Sequence, residues 1–164
     1  MDEAKRQERN QQKLQELYPA FAARVKTVIE TLESAGLRPR IQDAWRSPAD
    51  QLMAFQKGNS KVKYGFHNVT GPSGRKESPA VDLLDDDNPL NSARPYLLQL
   101  AAAAQAAGTS SGIRWGVPAK LITGIDEAIA NKDWDAPVKI GWDPTHIQPV
   151  GVTIAEAKAG KRPS

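Results

Sequence analysis

Apolar residues recur at Leu14, Leu17, Tyr18, Phe21, Val25, Val28, Ile29 and Leu32, at intervals of one, three and four. That spacing lines one stripe of an amphipathic helix facing a core. Gly36 stands just past it, where a helix ends. The polar residues 1–12 predict no more than a frayed extension of the same helix.

The pattern then shifts. Residues 37–45 predict a loop entering a short strand. Ser47-Pro48-Ala49-Asp50 predicts a helix start, with Ser47 as N-cap and Pro48 at the first helical position. That helix runs to about Lys57 and stops at Gly58-Asn59. Residues 58–79 have no period and carry Gly58, Gly65, Gly71, Pro72, Gly74 and Pro79. They predict a long loop, and such loops in compact domains tend to carry function or motion. Ser78 to Leu84 predicts a strand, with Ala80 and Asp82 on one face and Val81 and Leu83 on the other. Asp85-Asp86-Asp87 lacks the glycine and distal glutamate of a calcium loop, so it predicts a solvated turn.

Ser92 to Ala107 predicts an alanine-rich helix closed by Gly108, and Ile113 to Gly116 a short strand. Residues 117–140 show little pattern beyond one or two helical turns over 125–130 and a packing Trp134. Gly141 to Pro144 predicts a turn holding Asp143, with His146-Ile147-Gln148 starting a strand. From Thr153 a short helix is expected within a loose tail over 154–164. No repeat or linker divides the chain, so a single domain spanning 1–164 is expected.

Composition narrows the chemistry. The chain has 164 residues, 40% of them apolar and 25% charged, and no cysteine. Disulfides, thiol nucleophiles and thiolate metal sites are excluded. Lys and Arg total 22 against 19 Asp and Glu, a net charge of +3. That is too mild for a dedicated nucleic-acid binder and compatible with a polyanionic partner. The first twelve residues have no apolar run of the signal-peptide kind, and no segment has the length of a membrane span. Synthesis in the cytoplasm without a signal peptide, and no stable membrane insertion, are therefore expected.

Any metal site must use His, Asp or Glu, and there are only two histidines, His67 and His146. Asp82 is a carboxylate inside an apolar strand, where burial demands a partner or a metal. His67, His146 and Asp82 make a set of the kind that holds catalytic zinc, which takes three protein ligands and leaves a position for water. Asp143, three residues before His146, suits a general base. Arg46 sits where a strand gives way to a helix, suited either to a surface ion pair or to a cleft. The lysines and arginines of residues 57–76 form either solvated loop charge or a rim that attracts an anionic polymer. No phosphate loop, dinucleotide fingerprint, His-Glu-x-x-His helix or Gly-x-Ser-x-Gly elbow is present.

Six short motifs occur in one order. They are Trp45 to Gln51, Lys57 to Val62, Phe66-His67-Asn68, Ala80-Val81-Asp82, Arg114-Trp115-Gly116 and Asp143-Pro144-Thr145-His146-Ile147-Gln148. Together, over residues 40–150, they resemble the M15 zinc peptidases, which join D-Ala-D-Ala carboxypeptidases with phage L-alanyl-D-glutamate endopeptidases. The resemblance implies an α+β fold with a small central antiparallel sheet and flanking helices. It implies Zn2+ on His67, Asp82 and His146, Asp143 as catalytic base, and Arg46 and Gln51 at the substrate. It departs from the usual pattern at Gly65, where a serine is common. It departs again in the fifteen residues from His67 to Asp82, where seven are common.

The function it implies is a monomeric endolysin cutting the L-Ala–D-Glu bond of the peptidoglycan stem peptide, lysing the cell wall after release through a holin-type lesion. The alternatives are a D-Ala-D-Ala carboxypeptidase and a non-catalytic, zinc-stabilised wall-binding domain.

Overall fold

The apolar stripe of residues 14–32 divides between two helices. The computed structural model describes residues 1–164 and places α1 at Glu3–Leu14 and α2 at Pro19–Ser34. Pro19 starts α2, and Leu17 bridges to Ser78 between them. The N-terminal residues are thus a docked helix in their own right, correcting the expected frayed extension. Asp2 caps α1, accepting a hydrogen bond from the Lys5 amide at 2.9 Å. The helix is held by polar contacts that hydrophobic periodicity does not register. Arg6 is 1% exposed and pairs with Glu3 and Glu33. Asn10 donates to the Pro39 carbonyl at 3.0 Å and accepts from the Ile41 amide at 2.8 Å. Those groups belong to an edge strand, so α1 covers backbone that would otherwise template pairing with another chain.

That strand is β1, Pro39–Asp43. It is followed by α3 (Pro48–Gln56), β2 (Val81–Asp85), α4 (Arg94–Ala106), β3 (Thr109–Gly112), α5 (Ala119–Ala130), β4 (Asp143–Pro149) and α6 (Ile154–Lys158). The fold is α+β, with one antiparallel sheet of order β1-β2-β4-β3. Phe21, Val25, Val28, Ile29 and Leu32 of α2 pack with Ile41, Val81, Leu83 and Ile147 of the sheet and with α4. Each such side chain, fully buried, stabilises the fold by roughly 1.5–3 kcal/mol. Strand alternation leaves Asp82 on the opposite face together with Ala80, which joins Phe66, Val69 and Ala157 in a smaller cluster.

Four further expectations change. The strand expected at Ile113 to Gly116 lies earlier, at Thr109–Gly112, and residues 113–116 turn. α5 is a full 12 residues rather than one or two turns. Asp85 and Asp86 are buried rather than solvated, at 5% and 6% exposure. Asp86 lies 3.1 Å from both Arg38 and Arg40, although its Oδ2 and the Arg40 Nε lack hydrogen-bond alignment; this is charge proximity only. The expected loose tail is docked: Arg162 donates to Glu77 at 2.7 Å and to the Ala157 carbonyl at 2.8 Å, and Pro163 is buried. No helix is long and apolar enough to cross a membrane.

Candidate metal centre

Two neighbouring strands and one short turn bring three ligand-bearing residues together. Asp82 on β2 and His146 on β4 are direct cross-strand partners, so their side chains share a face. His67 lies in a 3-10 turn, Phe66–Asn68. That turn is fixed to the end of β1: the Arg46 amide donates to the His67 carbonyl at 2.9 Å, and the Asn68 side chain donates to the Arg46 carbonyl at 2.8 Å. The long segment between His67 and Asp82 folds back on itself. Thr70 bridges Lys76, and the Glu77 amide donates to the Val69 carbonyl at 3.1 Å. The extra residues are thereby closed into a side loop, and His67 and Asp82 still meet.

The three side chains form a tight triangle. His67 Nε2 lies 3.3 Å from His146 Nδ1 and 3.5 Å from Asp82 Oδ2, and His146 Nδ1 lies 3.3 Å from Asp82 Oδ1. The outer ring nitrogens have their own partners. His67 Nδ1 donates to the Ala44 carbonyl at 2.6 Å, and His146 Nε2 donates to Gln148 Oε1 at 3.1 Å. With those protons facing outward, both inner nitrogens present lone pairs. Four acceptor atoms then converge, and either a proton on His67 or a metal ion satisfies them.

The charges tell the same story. Burial opposes charge on His67, but the Asp82 carboxylate outweighs it and raises the imidazole pKa. Burial likewise pushes Asp82 up, yet the two histidines hold it far below the ordinary carboxylate value. The spacing also fits a metal: two ligand atoms at ~2.0–2.1 Å from a tetrahedral ion stand ~3.3 Å apart. His67, Asp82 and His146 are therefore a sound donor set for a metal ion.

Asp143 stands outside the triangle, at the head of β4 rather than in a turn before it. Burial raises its pKa, the Asp82 charge raises it further, and the histidines only partly offset this. Arg46 is set beside the centre by Asp43, at 2.6 Å, and by Gln51 Oε1, at 3.1 Å. Gln51, expected to meet the substrate, is instead 3% exposed, because its amide is fully used within the protein. It acts behind Arg46. Residues to which the sequence reading gave no role also belong here. Trp115 packs 5.2 Å from the His146 ring and 5.3 Å from Trp142. Gln148 was legible in principle, because period two puts it on the His146 face.

A cavity of about 510 Å³ lies near the triangle without containing it. It opens alongside, lined by Leu84 two residues beyond Asp82 and by Pro144 and Thr145 just before His146.

No protein-family model matches the sequence, and no curated protein matches it. Solved structures do resemble it. The L-Ala D-Glu endopeptidase ChiX of Serratia marcescens superimposes with a TM-score of 0.58 at 16% identity, over 87% of this chain and 86% of that one. The likeness is one of fold. The LdcB LD-carboxypeptidase, described for its peptidoglycan recognition, aligns with a TM-score of 0.46 at 18% identity, over 87% of this chain and 62% of that one.

Proposed function

We propose that this chain is a zinc-dependent peptidoglycan peptidase that hydrolyses the L-Ala–D-Glu bond of the stem peptide. The observation that carries the reading is the convergence of the His67, Asp82 and His146 ligand atoms in one tight triangle, with the Asp143 carboxylate beside them. The motif order supports a peptidase of the resembled group, and the ChiX-like fold is compatible with the L-Ala–D-Glu bond.

His67 Nε2, His146 Nδ1 and Asp82 would hold the ion. When bound, zinc supplies Lewis acidity, which acidifies water and polarises a carbonyl. Asp143 takes the proton from the attacking water and returns it to the departing amine. Its half-buried position and raised pKa keep it a competent acceptor and donor in turn. Arg46, fixed by Asp43 and Gln51, spends two of its five N–H donors on those partners and presents the rest to the substrate carbonyl. Ala44 and Gln148 keep both imidazoles in the ligating tautomer.

The test is metal analysis of the purified chain together with mass spectrometry of digested muropeptides, with and without chelator. The expected result is one zinc per chain and chelator-sensitive release of peptides beginning at D-Glu. Release of D-Ala alone would move the bond to the end of the stem and replace the endopeptidase reading with a carboxypeptidase one. Zinc binding with no product would leave only a wall-binding domain.

A further inference from the structure

Lys61 is held on the aromatic pair that packs against a ligand histidine, with no carboxylate to match it. The buried Gln51 donates from Nε2 to Ser60 Oγ at 2.7 Å and to the Val62 carbonyl at 2.8 Å. Those residues flank Lys61, so the backbone that carries it is clamped on both sides from the interior. The Lys61 ammonium lies 4.3 Å from the centroid of the Trp142 ring. Trp142 is itself fixed. The Gly141 amide donates to the Ile113 carbonyl at 2.6 Å, and the Trp142 amide to the Trp115 carbonyl at 3.0 Å. The Trp142 ring packs on Trp115, which packs on His146. Lys61 therefore stands over the residue preceding Asp143, two aromatic rings out from a ligand histidine.

Several neighbouring cations are matched by carboxylates. Arg46 is matched by Asp43, Arg114 by Asp126 and Lys76 by Glu16. Lys63 also lacks a carboxylate, but it rests on Phe55 of α3 rather than on the tryptophan pair that packs on His146. Lys61 has only the face of an exposed indole. An exposed cation–π contact is weaker than a charge-assisted hydrogen bond, so an arriving carboxylate draws the ammonium to itself.

We infer that Lys61, set on Trp142, is the subsite for a free carboxylate on the substrate and selects an acidic residue beside the scissile bond. The inference rests on the L-Ala–D-Glu reading. In a γ-linked stem peptide, D-Glu keeps its α-carboxylate next to the nitrogen released by hydrolysis. Amidation to D-isoglutamine keeps the shape and removes the charge, so walls amidated there are poor substrates.

Calorimetry on the zinc-loaded full chain tests this with two ligands, γ-D-Glu-L-Lys and γ-D-isoglutaminyl-L-Lys. The native protein binds the acid about tenfold more tightly, the scale of one charged hydrogen bond. Lys61→Gln removes the preference, Lys61→Glu reverses it and Lys61→Arg keeps it. Equal binding by the native protein, or a preference that survives Lys61→Gln, overturns the subsite. Digestion of the matching L-Ala-extended peptides is run in parallel. A preference abolished by Lys61→Gln without cleavage after L-Ala upholds the subsite and refutes the bond assignment.

Discussion

Zinc should stabilise this protein by an amount that the ligand triangle lets one work out. A ligand that binds only the folded chain at a hundredfold excess over its Kd adds about 2.7 kcal/mol of stability. For a chain of this size, 1 kcal/mol moves Tm by roughly 2–4 °C, so the expected rise is about 5–10 °C. The rise should also grow with pH. In the metal-free chain the His67 pKa is raised above its ordinary 6.5, because Asp82 outweighs burial. The protonated pair then contributes stability that is complete below about pH 6.5 and is lost as pH climbs through the higher folded value. Zinc takes the place of that proton, so its gain is small near pH 5.5 and largest near pH 8. Calorimetric melting at several pH values, with zinc and with chelator, measures both trends. Asp82→Asn preserves shape while removing the charge, and should reduce the zinc-dependent rise to under about 2 °C. An undiminished rise in that variant, or one of the same size from pH 5.5 to 8, would refute the assigned ligand set.

Asp143→Asn should lower hydrolysis by at least about a hundredfold while zinc content and Tm stay near native, because Asp143 lies outside the triangle; normal turnover would remove it from the proton-transfer role. Glu77 is buried, which pushes its pKa up, but Arg75 and Arg162 outweigh this and hold it below 4.5. Its contribution to stability is therefore present above pH 4.5 and fades as pH falls through the folded value. Glu77→Gln should flatten the fall in Tm between pH 6 and 3, and an unchanged profile would show that the loop is anchored otherwise. Gly141→Ala would place a methyl 2.6 Å from the carbonyl oxygens of Ile113 and Trp115, so the turn must shift. The expected signature is altered tryptophan fluorescence and lost hydrolysis with an intact far-ultraviolet spectrum; native fluorescence would show that the turn accommodates the methyl.

The parts of the fold legible in sequence are those with a local physical cause. Ser47, Pro48 and Asp50 announce α3 because capping is decided within one turn, and Ser47 does accept from the Asp50 amide. Period two separates the core residues Val81 and Leu83 from Asp82 for the same reason. What escaped depends on distant partners. α1 buries Arg6 and Asn10 against β1 carbonyls, so its stability lies in pairings about 30 positions away. β3 is a run of Thr and Ser with no strand signature, and it is a strand because β4 offers it hydrogen bonds. The family resemblance alone puts Gln51 at the substrate; only the folded loop shows that Ser60 and Val62 have already claimed its amide.

The strand order β1-β2-β4-β3 has a kinetic consequence. β4 arrives last along the chain yet lies between β2 and β3, which do not pair with each other. Until it inserts, both keep a bare edge, and His146 is absent from the centre. Folding is therefore gated by a late, long-range event rather than by growth outward from a hairpin. His146 reaches Asp82 only when β4 pairs with β2, so the metal triangle cannot assemble before that pairing. In that interval the unpaired edges of β2 and β3 are the surfaces most exposed to aggregation.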